Sequence, residues 1–216
     1  MTPLTKLITK SGNEHRVLSS RQLERLLGGS NARRYGMVNR ALKAGELLKV
    51  RRGLYVLSHD DRKTPVQPFA LAQQMVPGSY VSVETALSFH GWIPEAVHVT
   101  ASLTCGGKSL EFSHDALGQF TFRSIATNPG FFLQTVTRHD VKQQVALVAE
   151  PIRALIDLVY LRKSPWQGLE YLLEGLRIDE QLLRSVPVAN IKKLLSVYKG
   201  QREKNFIKKL LKSLDR

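Results

Sequence analysis

Arginines, lysines and one asparagine are gathered within Ser30–Leu57, SNARRYGMVNRALKAGELLKVRRGLYVL, at spacings suited to gripping a polyanion. Arg33, Gly36, Asn39, Arg40 and Lys43 fall on one side of a 3.6-residue period, with Arg34 adjoining them. Arginine and asparagine can each present two hydrogen bonds to a base edge, and arginine and lysine also hold phosphates. Lys49, Arg51 and Arg52 follow in a segment that reads as a hairpin, with both arginines at its tip. The predicted DNA-contacting set is therefore Arg33, Arg34, Asn39, Arg40, Lys43, Lys49, Arg51 and Arg52.

Positioning these side chains requires a particular run of elements. Tyr35, Val38, Ala41 and Leu42 lie opposite the basic face and are expected to pack on a core, with Gly45 stopping the helix. Leu47–Val50 and Leu54–Leu57 read as strands joined through Arg51-Arg52-Gly53, the glycine supplying the positive φ of a tight turn. Upstream, Leu4, Leu7 and Ile8 predict a short amphipathic helix stopping near Gly12, and Val17-Leu18 a brief strand. Ser19 and Gln22 have capping-box spacing before Leu23, Leu26 and Leu27, and Gly28-Gly29 ends that second helix. Ser30 can cap the third. Helix, strand, helix, turn, basic helix, hairpin is the order of a winged helix-turn-helix, expected over residues 1–64.

Charge is partitioned in the same sense. The formal net charge is +14, from 32 Lys and Arg against 18 Asp and Glu. Residues 1–64 carry a net +9, residues 65–189 a net −2 and residues 190–216 a net +7. A surplus serving only solubility would spread more evenly, so the two ends are where a polyanion would dock, with salt-dependent affinity. The 43% hydrophobic content suffices for real cores in a chain of 216 residues. The one cysteine, Cys105, excludes a disulfide framework and a cysteine-based zinc site. No run approaches 18 uninterrupted apolar residues and MTPLTKLITK has no signal-type apolar core, so a cytoplasmic protein is expected, without a membrane partner.

The character of the chain changes at His59–Pro68, read as a linker. Beyond it, residues 65–216 are expected to form a mixed α+β domain. Pro68–Met75 and Ser82–His90 look helical, and Ala96–Thr104 alternates with Val97, Val99, Ala101 and Leu103 on one face. Lys108–Phe112, Gly118–Ile125 and Phe131–Val136 complete a small, mostly antiparallel sheet. From Val141 onward the pattern is helical, over Pro151–Leu161, Trp166–Leu176, Asp179–Ser185, Val188–Lys199 and Arg202–Leu214.

Four segments carry a likeness: RRGLYVL at 51–57, YVSVETALSFHGWIP at 80–94, GQFTFRSI at 118–125 and EPIRALIDLVY at 150–160. Together they resemble the AbiEi-type antitoxins of type IV toxin–antitoxin systems, over most of the chain. The resemblance implies a winged-helix repressor of its own operon, bound to an operator that can be an inverted repeat. It also implies a C-terminal domain that counteracts a nucleotidyltransferase-like toxin. Within these motifs, Glu84 and His90 are the candidate partner-facing residues, against the alternative that the segment is a folding element with a satisfied histidine. Arg153 and Asp157 have i,i+4 spacing for an ion pair of architectural character.

Enzyme chemistry finds little support. Ser113-His114-Asp115 is consecutive and cannot converge as a triad, and Gly106-Gly107-Lys108 falls short of a phosphate-binding loop. His59-Asp60-Asp61 is a weak metal candidate in the linker. No catalytic residue, cofactor or metal is assigned, and the oligomeric state is left open. The C-terminal segment sets Phe206, Ile207, Leu210, Leu211 and Leu214 in a stripe with Lys208, Lys209 and Lys212 mostly off it. That helix could meet an anionic membrane, further DNA or an acidic partner, with Lys208 and Lys209 as contacts, or pack on the body with its lysines outward.

Overall fold

Side-chain caps begin the first elements. Thr2 accepts from the Thr5 amide at the start of α1 (Pro3–Lys10), with proline at a first-turn position where no amide is needed. Ser19 and Gln22 form the full capping box that opens α2 (Ser20–Leu27), directly after the short strand β1 (Leu18–Ser19). Ser30 caps α3 (Asn31–Lys43). Strands β2 (Leu47–Arg51) and β3 (Leu54–Leu57) follow, then α4 (Pro68–Met75). The computed structural model describes residues 1–58, 60, 65–141 and 144–214, which divide into two units, Met1–Met75 and Val76–Arg216. The expected boundary at 64/65 thus falls short of the division, which leaves α4 with the first unit; half of the expected linker, His59 and Asp61 included, lies outside the described residues.

In the first unit the sheet order is β1-β3-β2, all antiparallel. Its core joins Leu4, Ile8, Leu18, Leu23, Leu27, Ala41, Leu47 and Leu57, each large side chain contributing about 1.5–3 kcal/mol on burial. Glu46 ties β2 to the start of α1: its carboxylate accepts the Thr2 amide at 2.6 Å and the buried Thr5 hydroxyl at 2.7 Å. The Thr2 amide and the Thr5 hydroxyl together hold the carboxyl down at about 2.

The second unit contains β4 (Tyr80–Val81), α5 (Val83–Phe89), β5 (Val99–Cys105), β6 (Leu110–His114) and β7 (Gly118–Ile125). It continues with β8 (Val136–Val141), β9 (Gln144–Ala149), α6 (Pro151–Arg162), α7 (Glu180–Ser185), α8 (Val188–Lys193) and α9 (Gln201–Ser213). The sheet order is β6-β7-β5-β4-β9-β8. The α+β class is as expected, but the sheet is larger and more mixed: β5 runs parallel to β7 and β4 parallel to β9. Phe131–Val136 is a turn rather than a strand until Val136, with Thr135 at φ 56°. Trp166–Leu176 is broken by Pro165 and Gly168 (φ 98°), leaving one π-helical turn at Tyr171–Gly175. Val188–Lys199 likewise ends its α-helix at Lys193. On β5 the polar Thr100 and Ser102 are buried along with Leu103, so alternation does not mark a wet face.

One buried network joins these elements. The Asp157 carboxylate on α6 accepts from Arg153 Nε at 2.9 Å, Tyr198 at 2.7 Å, Tyr80 at 2.9 Å and Ser82 at 2.7 Å. The Arg153 guanidinium also donates to the Tyr80 hydroxyl at 2.6 Å and the Gln134 carbonyl at 2.8 Å. Both charged side chains are wholly buried. Burial and the facing carboxylate push the Tyr80 and Tyr198 hydroxyls well above the usual phenol value, so both remain donors.

Two predictions follow from these contacts. Asp157→Ala strands a buried guanidinium and is expected to cost about 3–5 kcal/mol in urea unfolding of the second unit, whereas Arg153→Met/Asp157→Leu removes the stranded charge but leaves the Tyr80, Ser82 and Tyr198 hydroxyls without their acceptor, and recovers only part of that loss. A loss below about 1 kcal/mol for the single variant would contradict the role given to the network. For Glu46, the depressed carboxyl stabilises the folded unit fully above pH 4.5, and that stability is lost as the pH falls through about 2. Acid titration of the first unit's unfolding should show this window, and Glu46→Gln should flatten it.

Candidate nucleic-acid interface

The basic residues of the first unit stand on two neighbouring pieces of structure, α3 and the β2–β3 hairpin. Along α3, Arg33, Arg40 and Lys43 are exposed and Asn39 is half-buried. Arg33 folds back toward the preceding turn, where a Cβ on Gly29 would stand 3.2 Å from its Nη1. Arg34 is half-buried and bonds the Asn31 side chain. It lines an open groove of about 330 Å³ with Ser20, Glu24, Tyr35, Val38 and Tyr55, set between α2, α3 and β3. On the hairpin Lys49, Arg51 and Arg52 are all exposed.

The hairpin tip is anchored. Gly53 adopts φ 78°, its carbonyl accepts the Ser20 amide at 2.9 Å, and a Cβ there would meet Ser20 Oγ at 3.4 Å. The turn glycine is thus fixed against the first residue of α2, while the register shift between Lys49 and Arg51 twists the strand leading to it. Helix and hairpin cations are held by one small core.

Few of these cations are compensated by acids. Among the described residues, none of Arg33, Arg40, Lys43, Lys49, Arg51 and Arg52 has a carboxylate partner. In the second unit Arg123, Arg162, Arg177, Arg184 and Arg202 each hold one at the surface and Arg153 holds one in the core, whereas Arg138 and the lysines, Lys208 and Lys209 among them, hold none among the described residues. Exposed pairs of that kind add little stability, but they cancel the field that unpaired cations project. The first unit therefore presents positive potential on one set of exposed side chains, and α3 contains no acidic residue.

Tyr35 corrects the sequence reading. It was expected in the core and is instead 72% exposed. Met37, four residues before Ala41, takes the inward position beside Val38 and Leu42. That i,i+4 pairing is the signal that could have separated the two.

The other singled-out residues lie in the second unit and do not converge. Glu84 pairs with Arg162 at 2.7 Å on the rim of a shallow pocket floored by Leu87, Ile93 and Leu158. His90 is half-buried, its Nε2 3.0 Å from the Ala149 carbonyl, with His139 and Phe89 packed edge-on around it. Burial, and to a lesser degree His139, lowers its basicity. Lys208 and Lys209 are exposed on α9, whose apolar stripe, Phe206, Ile207, Leu210, Leu211 and Leu214, is buried. Among the described residues no helix is long and apolar enough to cross a membrane.

These features define a two-unit α+β protein whose first unit carries an exposed basic face, without carboxylate partners among the described residues. No family model matches the chain, and no curated protein matches it. Its structure is similar to that of the RV2827C protein from Mycobacterium tuberculosis, with a TM-score of 0.61 and 15% identity. The match covers 99% of this chain and 78% of that one, and at such identity it speaks to the fold alone.

Proposed function

We propose that the first unit is a winged helix-turn-helix that binds double-stranded DNA and that the protein acts as a transcriptional regulator. The observation that carries this reading is the grouping of exposed arginines and lysines on α3 and the hairpin, none of which has a carboxylate partner among the described residues. Such a face suits a polyanion, and the long side chains on a 13-residue helix suit a major groove. Arg33, Asn39 and Arg40 would address the groove and its walls, and Lys49, Arg51 and Arg52 the flanking phosphates or minor groove. Arg34, held against Asn31, would serve from the edge of the groove between α2 and α3.

For the second unit, the reading is the one the resemblance to AbiEi-type antitoxins implies, neutralisation of a nucleotidyltransferase-like toxin. Two of the resembling segments supply Tyr80 and Ser82 on one side and Arg153 and Asp157 on the other to the same buried network. Those motifs support the fold of such a domain, so its partner-facing residues belong to the surface, where the Glu84–Arg162 rim and the Lys208–Lys209 face are available.

Fluorescence-anisotropy titration of the full chain on its own upstream DNA, against a scrambled duplex, tests the first proposal. Arg33→Ala or Arg40→Ala is expected to cost roughly 1–3 kcal/mol on the native duplex, and Arg51→Ala to weaken both duplexes and lower the salt slope by about one. Unchanged affinity in all three variants would remove this face from consideration. For the second, the full chain carrying Arg33→Ala, Arg40→Ala, Arg51→Ala and Arg52→Ala should lose operator binding yet still rescue cells expressing the neighbouring toxin. Loss of rescue together with DNA binding would count against a separate neutralising unit.

A further inference from the structure

We infer that Tyr35 is a specificity-determining residue that lays its ring on the C5-methyl of a thymine, beside an adenine read by Asn39; the inference rests on the DNA-binding proposal. Tyr35 is the most exposed large hydrophobic side chain among the described residues, at 72%. Its hydroxyl has no hydrogen-bond partner among them, and the ring stands at the lip of the groove between α2, α3 and β3 rather than in the core. An aromatic ring left in water on a cationic helix carries an unused apolar surface of the kind a methyl group covers.

The neighbouring residues narrow what that surface meets. Lys49, Arg51 and Arg52 on the hairpin are the proposed phosphate contacts of this unit, so a further donor to phosphate adds little. Gly36 follows Tyr35 directly, and a Cβ there would meet only Arg40 Nη1, at 4.0 Å. The helix surface beside the ring is therefore low, and the ring can reach past it to a groove floor. Asn39 lies one turn farther along at i+4, on the same flank of the helix. Asparagine is matched to the N6 and N7 atoms of adenine, and an apolar contact to the thymine methyl. Two side chains one turn apart thus address neighbouring A·T pairs.

The test uses the full chain and duplexes it selects from a random pool, with each thymine then replaced singly by deoxyuridine, which lacks only the methyl. One position is expected to weaken binding by about three- to fivefold in the wild type and in Tyr35→Phe, and to have no effect in Tyr35→Ala. Melting curves should leave Tyr35→Ala unchanged, as befits an exposed side chain. A methyl effect that persists in Tyr35→Ala, or none at any thymine, overturns the inference while leaving DNA binding intact. Equal losses for Tyr35→Phe and Tyr35→Ala would assign the hydroxyl to a phosphate instead, which also overturns it. A pool that yields no preferred sequence overturns the inference and the sequence-reading proposal together.

Discussion

The second unit depends on one buried carboxylate. Asp157 receives hydrogen bonds from α6 itself, from β4, from the residue that opens α5 and from Tyr198 before α9. A lone buried charge would be costly, and so would a buried guanidinium; each makes the other tolerable, and the tyrosines satisfy what lone pairs remain. Because the donors come from separated segments, the bonds form only when the chain has brought all of them together. The network also fixes the β4–α5 junction. Val83, a β-branched residue, sits there at φ 48°, a conformation that costs on the order of 1–3 kcal/mol and persists where its surroundings over-determine it. Ser82, bonded to Asp157 immediately before it, is part of what does so.

The first unit is held differently. Its caps, its turn glycines and its leucine stripe are all local, so nearly every element is specified within a few residues of itself. The long-range ties are few: Glu46 reaching back to the start of α1, and the Gly53 carbonyl taking the Ser20 amide. They join segments that are far apart in sequence through one carboxylate and one carbonyl.

That difference explains what could be read from residues alone. Ser19 with Gln22, Ser30, Gly28 and Gly53 announce their roles because capping and positive φ have short-range causes. Gln144–Ala149 does not, because a short apolar run fits a buried strand as well as a buried helix, and β4 is only two residues long. Nor does alternation reveal that β5 is parallel to β7: hairpin β6–β7 turns back and places β6 on the outer edge, a choice made by the whole sheet. At the site, the cations on α3 and the hairpin were legible from period and turn chemistry. Their lack of carboxylates was not, since pairing such as Arg162 with Glu84 or Arg177 with Glu95 spans distant segments. Tyr35 was misplaced because four inward positions were assigned on a helix whose core side also takes Met37.

One feature of α3 runs against helix stability and so bears on the DNA-reading proposal. The partial positive charge at a helix N-terminus favours carboxylates in the first turn, yet α3 has none there and instead places Arg33 and Arg34 near its start. α5, α7 and α9 each carry a first-turn glutamate, while α1, α2, α4, α6 and α8, like α3, carry none. The penalty for omitting it is a few tenths of a kcal/mol to about 1 kcal/mol, small enough to bear and largest when no anion is near. A phosphate backbone brought to this end of the helix would meet the dipole and both arginines at once.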